Sequence, residues 1–467
     1  MNGETRKLLI IVLIIAGVFT SHLLTPPEGL EPLGLRMLFI AMVAALLWMT
    51  EAIPIGVTGL LIIFLQAISG ILPLTQGLAY IAHPVNAVVL VGYLLASALV
   101  RTGMDRRISL TIISKMGEKT ERLMLGIMIS TAFLSMWISN TATTAIMVPI
   151  ATGILTMTGA KKLESNFGRA MLIGIAFAAN IGGMGTPTGT PANPIAIALL
   201  DSLAGIKLSF LDWTIRALPI VILLIPIAWF ILKTVYPPEI KVVEGGLDVV
   251  KRQLKEMGPP KPEEKKVMML FISAIILWLL DSFLPLSGDW LYIVAVFLTI
   301  FLVLPKVGFM TWKEAQREIG WDVLFLVGGG LSMGAGLKAT GAITYVANIL
   351  SASVGQMPEG LALALVSAIT GLGITIFCSL SGTATTFVPI AIGLALSFGW
   401  NPVAFAVVGG LSSSFAFLLP ANAAPNAVAY GAGYFKTSDM FKAGIIQIIC
   451  SIIVIGIMSG FVIPALF

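Results

Sequence analysis

Apolar residues fill this chain in long blocks, broken by short polar or proline-containing stretches, and rarely follow the one-sided stripe of a soluble helix. The blocks predict helices near 8–25, 34–50, 54–72 and 84–101, a long hairpin-like block at 121–158, and helices at 166–200 and 213–233. A charged stretch from Lys233 to Lys266, holding Pro237-Pro238 and Pro259-Pro260, then divides the chain. Beyond it the pattern resumes at 267–284, 288–305 and 321–338, with a second hairpin-like block at 357–397 and helices at 400–433 and 438–466.

A hydrocarbon core of about 30 Å takes about 20 apolar residues of helix, and at least ten of these windows meet that length. Composition agrees: 57% of the 467 residues are hydrophobic and 11% charged, against about 25% charge in a soluble domain. The chain therefore reads as one all-α polytopic membrane domain in a lipid bilayer. The run from Leu8 to Leu24 passes into Thr25-Pro26-Pro27 without a small-residue cleavage site, so it is expected to be the first span. Cys378 and Cys450 have neither metal nor disulfide spacing and read as packing residues.

The formal charge of +5 comes from Lys and Arg gathered at the ends of blocks, which orients a membrane protein and implies no nucleic-acid partner. Arg6 and Lys7 precede the first span; Arg101, Arg106, Arg107, Lys115, Lys119 and Arg122 follow the fourth; Lys161 and Lys162 follow the first hairpin-like block. Placing all of them in the cytoplasm makes block 121–158 enter and leave on one side, as a re-entrant hairpin. Two ordinary spans would also return to that side, and the block's length argues only weakly against them. The count reaches eleven crossings and two hairpins, with the N-terminus cytoplasmic, the C-terminus outside, and the protein in the cell (inner) membrane.

An internal repeat runs through the chain. Ser139-Asn140-Thr141-Ala142-Thr143-Thr144, followed by Val148-Pro149-Ile150, recurs 242 residues later as Ser381-Gly382-Thr383-Ala384-Thr385-Thr386, followed by Val388-Pro389-Ile390. Gly92 to Gly103 resembles Gly330 to Gly341 at an offset of 238, and Pro191-Ala192-Asn193-Pro194 resembles Ala424-Pro425-Asn426-Ala427 at 233. Each unit holds five crossings and a hairpin, and an odd number of crossings makes the second unit enter from the opposite face. The expected organisation is a first span (1–33), repeat 1 (34–233), a cytoplasmic linker (234–266) and an inverted repeat 2 (267–467).

Backbone breaks at membrane depth survive only where protein or a wet cavity satisfies the freed groups. Two breaks are expected at the hairpin motifs. Two more fall at Gly182 to Pro191, with Thr186 and Pro187, and at Leu419 to Asn426, with Ala423 and Ala424. A broken helix offers free N–H groups and the positive end of its dipole to an anion. Its freed carbonyls, with nearby hydroxyls, can hold Na+. No Asp, Glu, Lys or Arg occurs between Leu123 and Ala160 or between Gly360 and Phe435, so an ionic ligand would be held by neutral groups. Singly, each Ser or Thr here could equally bond its own helix or glue neighbouring helices; the repeated pair favours a site. Gly328-Gly329-Gly330 lies within a span, where close helix packing explains it better than a nucleotide loop.

These residues resemble the divalent anion/sodium symporter family, the di- and tricarboxylate transporters. The marks are Trp48-Met49-Thr50-Glu51-Ala52-Ile53-Pro54, the Ser-Asn-Thr tip at 139–141, Gly183-Met184-Gly185-Thr186-Pro187 and the Ala-Pro-Asn element at 424–426. The resemblance implies a homodimer working by an elevator motion, with scaffold parts at 34–120 and 267–350 and transport parts at 121–233 and 351–467. It implies that Asn140 and Thr141, with Thr383 opposite, contact substrate carboxylates, and that Ser135, Ser139, Asn140 and the Gly185 backbone surround a Na+. In the second half Ser381-Gly382-Thr383 stands for Ser-Asn-Thr, Ala423 for a hydroxyl residue and Phe377-Cys378 for a Thr-Glu pair. These departures weigh against a second Na+ site near Ser381.

The expected function is secondary transport of a C4-type dicarboxylate such as succinate, malate or 2-oxoglutarate, by Na+ symport or by Na+-independent exchange. Sulfate is the rival dianion. An intramembrane enzyme would need a nucleophile with its base, or a metal cluster; with only His22 and His83 and no acid pair in the hairpins, none is expected. A passive channel fits inverted repeats with broken helices less well than a carrier.

Overall fold

The computed structural model describes residues 16–243, 245–281, 283–284, 288–354 and 357–461, so positions 8–15 of the expected first span and 462–466 of the last lie outside the described residues. Within them the chain is helical, and its one extended pairing is an isolated bridge between Lys119 and Val242.

Helices form where the apolar blocks lie and stop where the sequence removes a donor or requires a left-handed residue. Ten helices, Pro32–Thr50, Ile55–Ile68, Leu74–Ala79, Val85–Thr102, Met104–Ser114, Thr120–Ser135, Asn140–Met157, Asn166–Gly183, Ala192–Ala204 and Phe210–Val235, precede the linker helix Gly246–Glu256. Ten more follow: Pro262–Leu280, Trp290–Val303, Trp312–Glu318, Trp321–Ala339, Ala342–Val354, Glu359–Phe377, Leu380–Phe398, Pro402–Ser412, Ala424–Gly431 and Thr437–Phe461. Some features recur in both series. Gly103 and Gly341, at φ +74° and +68°, both turn the chain out of a long helix into a shorter one. Pro149 and Pro389 both sit inside the second arm of a hairpin.

Among the described residues, eight helices are long and apolar enough to cross a bilayer. Hairpin 1 (Thr120–Ser135 and Asn140–Met157) has arms of 16 and 18 residues, and hairpin 2 (Glu359–Phe377 and Leu380–Phe398) has two arms of 19. At 1.5 Å per residue a 19-residue arm measures about 28 Å. Length therefore allows each arm of hairpin 2 to traverse the hydrocarbon alone.

Small residues let the outer helices cross closely. Ile55–Ile68 packs on Trp321–Ala339, where a Cβ on Gly329 would stand 2.3 Å from the Gly59 Cα. Gly328 and Gly330 of the same helix press on Ile81 and Thr385, so the triple glycine serves helix packing. Gln66 and Ser332, both buried, bond each other across this crossing, and the Gln66 amide also donates to the Ser332 carbonyl at 2.9 Å.

The halves interlock at the core. Ala192–Ala204 lies against Leu380–Phe398 of the other series, and Ala424–Gly431 lies against Asn140–Met157. An aromatic stack joins hairpin 1 to both: Trp137 stacks on Phe210 at 6.0 Å, and Phe210 on Trp278 at 4.8 Å. The linker is tied back by a buried ion pair between Arg107 and Glu264, with Arg107 also donating to the Gly258 carbonyl at 2.9 Å.

Candidate functional site

Hairpin 1 ends its first arm at Ser135, turns through Met136–Ile138, and restarts with Ser139 as N-cap, whose hydroxyl accepts from the Ala142 amide at 3.3 Å. The N–H groups of Asn140 and Thr141 have no partner among the described hydrogen bonds, as expected for the first residues of a helix. They present the positive end of the Asn140–Met157 dipole at a buried position.

Beside them oxygens converge. The Ser135 hydroxyl stands 2.6 Å from the Asn140 side-chain oxygen and 2.8 Å from the Ala179 carbonyl, and all three residues are buried. A hydroxyl carries one proton, so three oxygens this close share a single hydrogen and are suited to a small cation. Gly183 makes the approach possible: a Cβ there would lie 2.4 Å from the Asn140 side-chain oxygen. Gly182 does the same for the Ala132 carbonyl. The cradle shown by geometry is thus Ser135, Asn140 and Ala179. Ser139 is exposed at the tip, and Gly185 lies buried under the Met136 side chain.

Between Asn166–Gly183 and Ala192–Ala204 the chain is unwound, as Pro187, Pro191 and the glycines demand. The freed carbonyls are gathered by one side chain: the Asn193 amide donates to Gly183 at 2.9 Å and to Thr186 at 2.7 Å. The Trp213 indole takes the Met184 carbonyl at 3.0 Å. Thr186 bonds the Met136 carbonyl, fixing the unwound segment to the hairpin tip. A cleft opens here, lined by Ser139, Pro187, Thr188 and Gly189 on one side and by Gly92, Tyr93 and Ala96 of Val85–Thr102 on the other.

The second half repeats this backbone. The Asn426 amide donates to Ala416 at 2.7 Å and to Leu419 at 3.0 Å, the same two carbonyls 233 residues on. Asn180 joins the halves, donating to Asn426 at 2.9 Å and to the Ala416 carbonyl at 3.2 Å.

The hairpin tip revises the register read from sequence. The N-cap of the second arm is Ser379, not Ser381: its hydroxyl accepts from Gly382 at 3.2 Å, and Thr383 donates to its carbonyl at 3.0 Å. Cap and proline both recur at 240, so Ser139 answers to Ser379, Asn140 to Leu380 and Thr141 to Ser381. The repeated Thr-Ala-Thr-Thr letters match at 242 only because the second arm is two residues shorter between them and its proline. Thr375 and Ile376, not Phe377 and Cys378, therefore stand four and three residues before the cap.

Gly382 and Thr383 lie deeper in the first turn, and the fully buried Thr383 hydroxyl donates to the Ser379 carbonyl at 2.8 Å. Thr144, Thr385 and Thr386 likewise bond their own preceding turn. Ser381 is buried beside the tip, Ala423 is buried against Ile374 and Ala416, and Ala424 is exposed at the start of its helix. Asn180 and Ala179 went unread in the sequence, and Asn193 and Asn426 were read only as members of a repeated motif, not as straps for the freed carbonyls. A buried Asn at equal distance behind each break was their signal.

Broken helices enclosing neutral donors and acceptors, inside a multi-pass apolar bundle, define an integral membrane transporter. Residues 3–465 match the family model described as the sodium:sulfate symporter transmembrane region. The chain belongs to that family. It is 32% identical over 464 residues to a protein of Staphylococcus saprophyticus named sodium-dependent dicarboxylate transporter SdcS, covering 95% of this chain and 88% of that one. The Staphylococcus aureus protein of the same name is 32% identical over 462 residues, covering 94% and 88%. Among solved structures the fold is similar to Neisseria gonorrhoeae MtrF, with a TM-score of 0.56, 14% identity and coverage of 97% of this chain and 94% of that one. It is also similar to the Alcanivorax borkumensis YdaH transporter, with a TM-score of 0.53, 13% identity and coverage of 82% and 87%. At such identities the likeness concerns the fold.

Proposed function

We propose that this protein carries a C4-type dicarboxylate across the cell membrane by Na+ symport. The observation that carries the reading is the pairing at hairpin 1 of an oxygen cradle short of protons with two unpaired amides. Ser135, Asn140 and the Ala179 carbonyl hold Na+, while the N–H groups of Asn140 and Thr141 face one substrate carboxylate. Ser139 and Pro187 line the adjoining cleft, and Thr186, buried behind it, ties the unwound segment to the hairpin tip. In this reading the unpaired N–H groups of Leu380 and Ser381 at the second tip, with Gly382, Thr383, Ala423 and Ala424, serve the second carboxylate. The Na+ charge lowers the cost of bringing the anion out of water, which couples the two. Both curated relatives are named for Na+-dependent dicarboxylate transport, which favours that substrate class over sulfate and symport over Na+-independent exchange.

The same reading makes the two series inverted repeats, the hairpins re-entrant, and the N-terminus cytoplasmic with the C-terminus outside. The parts at 121–233 and 351–467 move as an elevator against a scaffold formed by 34–120 and 267–350 in a homodimer. Counter-flow of labelled succinate in proteoliposomes tests it. Uptake should need Na+ rather than K+, resist competition by sulfate, and fall at least about tenfold in Asn140→Ala, on the scale of one lost charge-assisted contact. Uptake indifferent to Na+ would contradict symport, and sulfate as the better competitor would contradict the substrate.

A further inference from the structure

The two repeats share their backbone but not their chemistry. In the register set by the caps and prolines, Ser135 answers to Thr375 and Asn140 to Leu380. In the register set by the Asn193 and Asn426 straps, Gly183 answers to Ala416 and Thr190 to Ala423. The Asn140 amide lies against Gly183; the Leu380 side chain packs on Ile374, Ala416 and Ala423 and on the main apolar core. Where Ser135 has two oxygens within 2.8 Å, the buried Thr375 hydroxyl oxygen has no hydrogen-bond partner. One half has an oxygen cradle; at the corresponding positions the other has a leucine packed on apolar residues and a buried hydroxyl without a hydrogen-bond partner.

We propose that this chain binds one Na+, at hairpin 1 alone, and that Leu380 is the residue that closes the equivalent position in the second repeat. The inference rests on the Na+-coupled reading above. A bare cation leaves water only where several oxygens replace its hydration, and of the two residues answering to Ser135 and Asn140 only Thr375 has a side-chain oxygen. Leu380 also accounts for the lone Thr375 oxygen, because an amide at that position would reach it as Asn140 reaches Ser135.

Binding of radioactive 22Na+ to the purified full chain tests this without recourse to transport. The expected result is one Na+ per chain in the native protein, none in Ser135→Ala, and two in Leu380→Asn. The double change Leu380→Asn with Thr375→Val should return to one. Thr375→Val alone, which removes no existing bond, should leave binding at one with unchanged affinity, and this arm stands even if Leu380→Asn fails to fold. Two Na+ in the native chain, or loss of Na+ on Thr375→Val, would overturn the proposal while leaving Na+ coupling intact. Binding that stays at one in folded Leu380→Asn would overturn the role given to Leu380. No Na+ bound to the native chain would overturn the coupled reading and this proposal together.

Discussion

At the residue scale, a few side chains hold backbone that the membrane would otherwise expel. Asn193 and Asn426 each collect the carbonyls that a break sets free, and each unsatisfied buried group costs about 1–3 kcal/mol. Asn193→Ala and Asn426→Ala should each lower the unfolding midpoint of the purified protein, followed by tryptophan fluorescence. Asn193→Ala should also weaken Na+ binding, because the Gly183 carbonyl it releases adjoins the residue supporting Asn140. An unchanged midpoint in both variants would show that water replaces the straps. Of the residues expected from the sequence, Ser135 and Asn140 come together at the first hairpin, while Ser139 is exposed at the tip and Gly185 lies under Met136. What sequence matching misread was hairpin 2. Its repeated Thr-Ala-Thr-Thr run drew the alignment two residues off, and only the N-cap hydrogen bonds fix Ser379 as the start of the arm.

At the element scale, the long helices follow the apolar blocks within a few residues, because length and hydropathy are set by the bilayer and need no knowledge of neighbours. Shorter helices such as Met104–Ser114 and Gly246–Glu256 were missed, since they mix charge with apolar residues and are stabilised by contacts such as Arg107 with Glu264. Helix starts also receive carboxylates from outside. The Asn401 amide before Pro402–Ser412 donates to Glu359 at 2.9 Å, and the amides of Asn166 and Phe167 donate to Glu239. Burial works to raise the Glu239 pKa, but its own backbone amide, those of Asn166 and Phe167, and the Ser165 hydroxyl together outweigh it and hold the carboxyl below its ordinary value. A depressed carboxylate contributes stability that is complete above its unfolded pKa and is lost as pH falls through the lower, folded one. Glu239→Gln should therefore cost about 0.3–1 kcal/mol near neutrality, with solvent screening favouring the low end. The gap between the two unfolding midpoints should close as pH falls below the ordinary value of 4.5. A gap that persists at acid pH would assign the loss to packing instead of charge.

At the scale of the whole molecule, the second half of each broken helix packs against the hairpin of the other series, so neither series encloses the site alone. Three short motifs recur in one order along the sequence, whereas the interlock depends on contacts between residues more than 200 apart and has no local signature. The proposed site draws amides and neutral oxygens from both halves. Its charge-free lining lets an ion pair of substrate and Na+ travel as a unit without leaving a fixed countercharge behind. The most direct test is a cryo-electron microscopy map of the protein in lipid nanodiscs with Na+ and succinate, compared with one in K+ alone. The account predicts added density between the Asn140–Thr141 and Leu380–Ser381 amides, with a smaller peak among Ser135, Asn140 and Ala179, and neither in K+. Succinate bound away from both hairpin tips, or a first tip facing lipid, would contradict it.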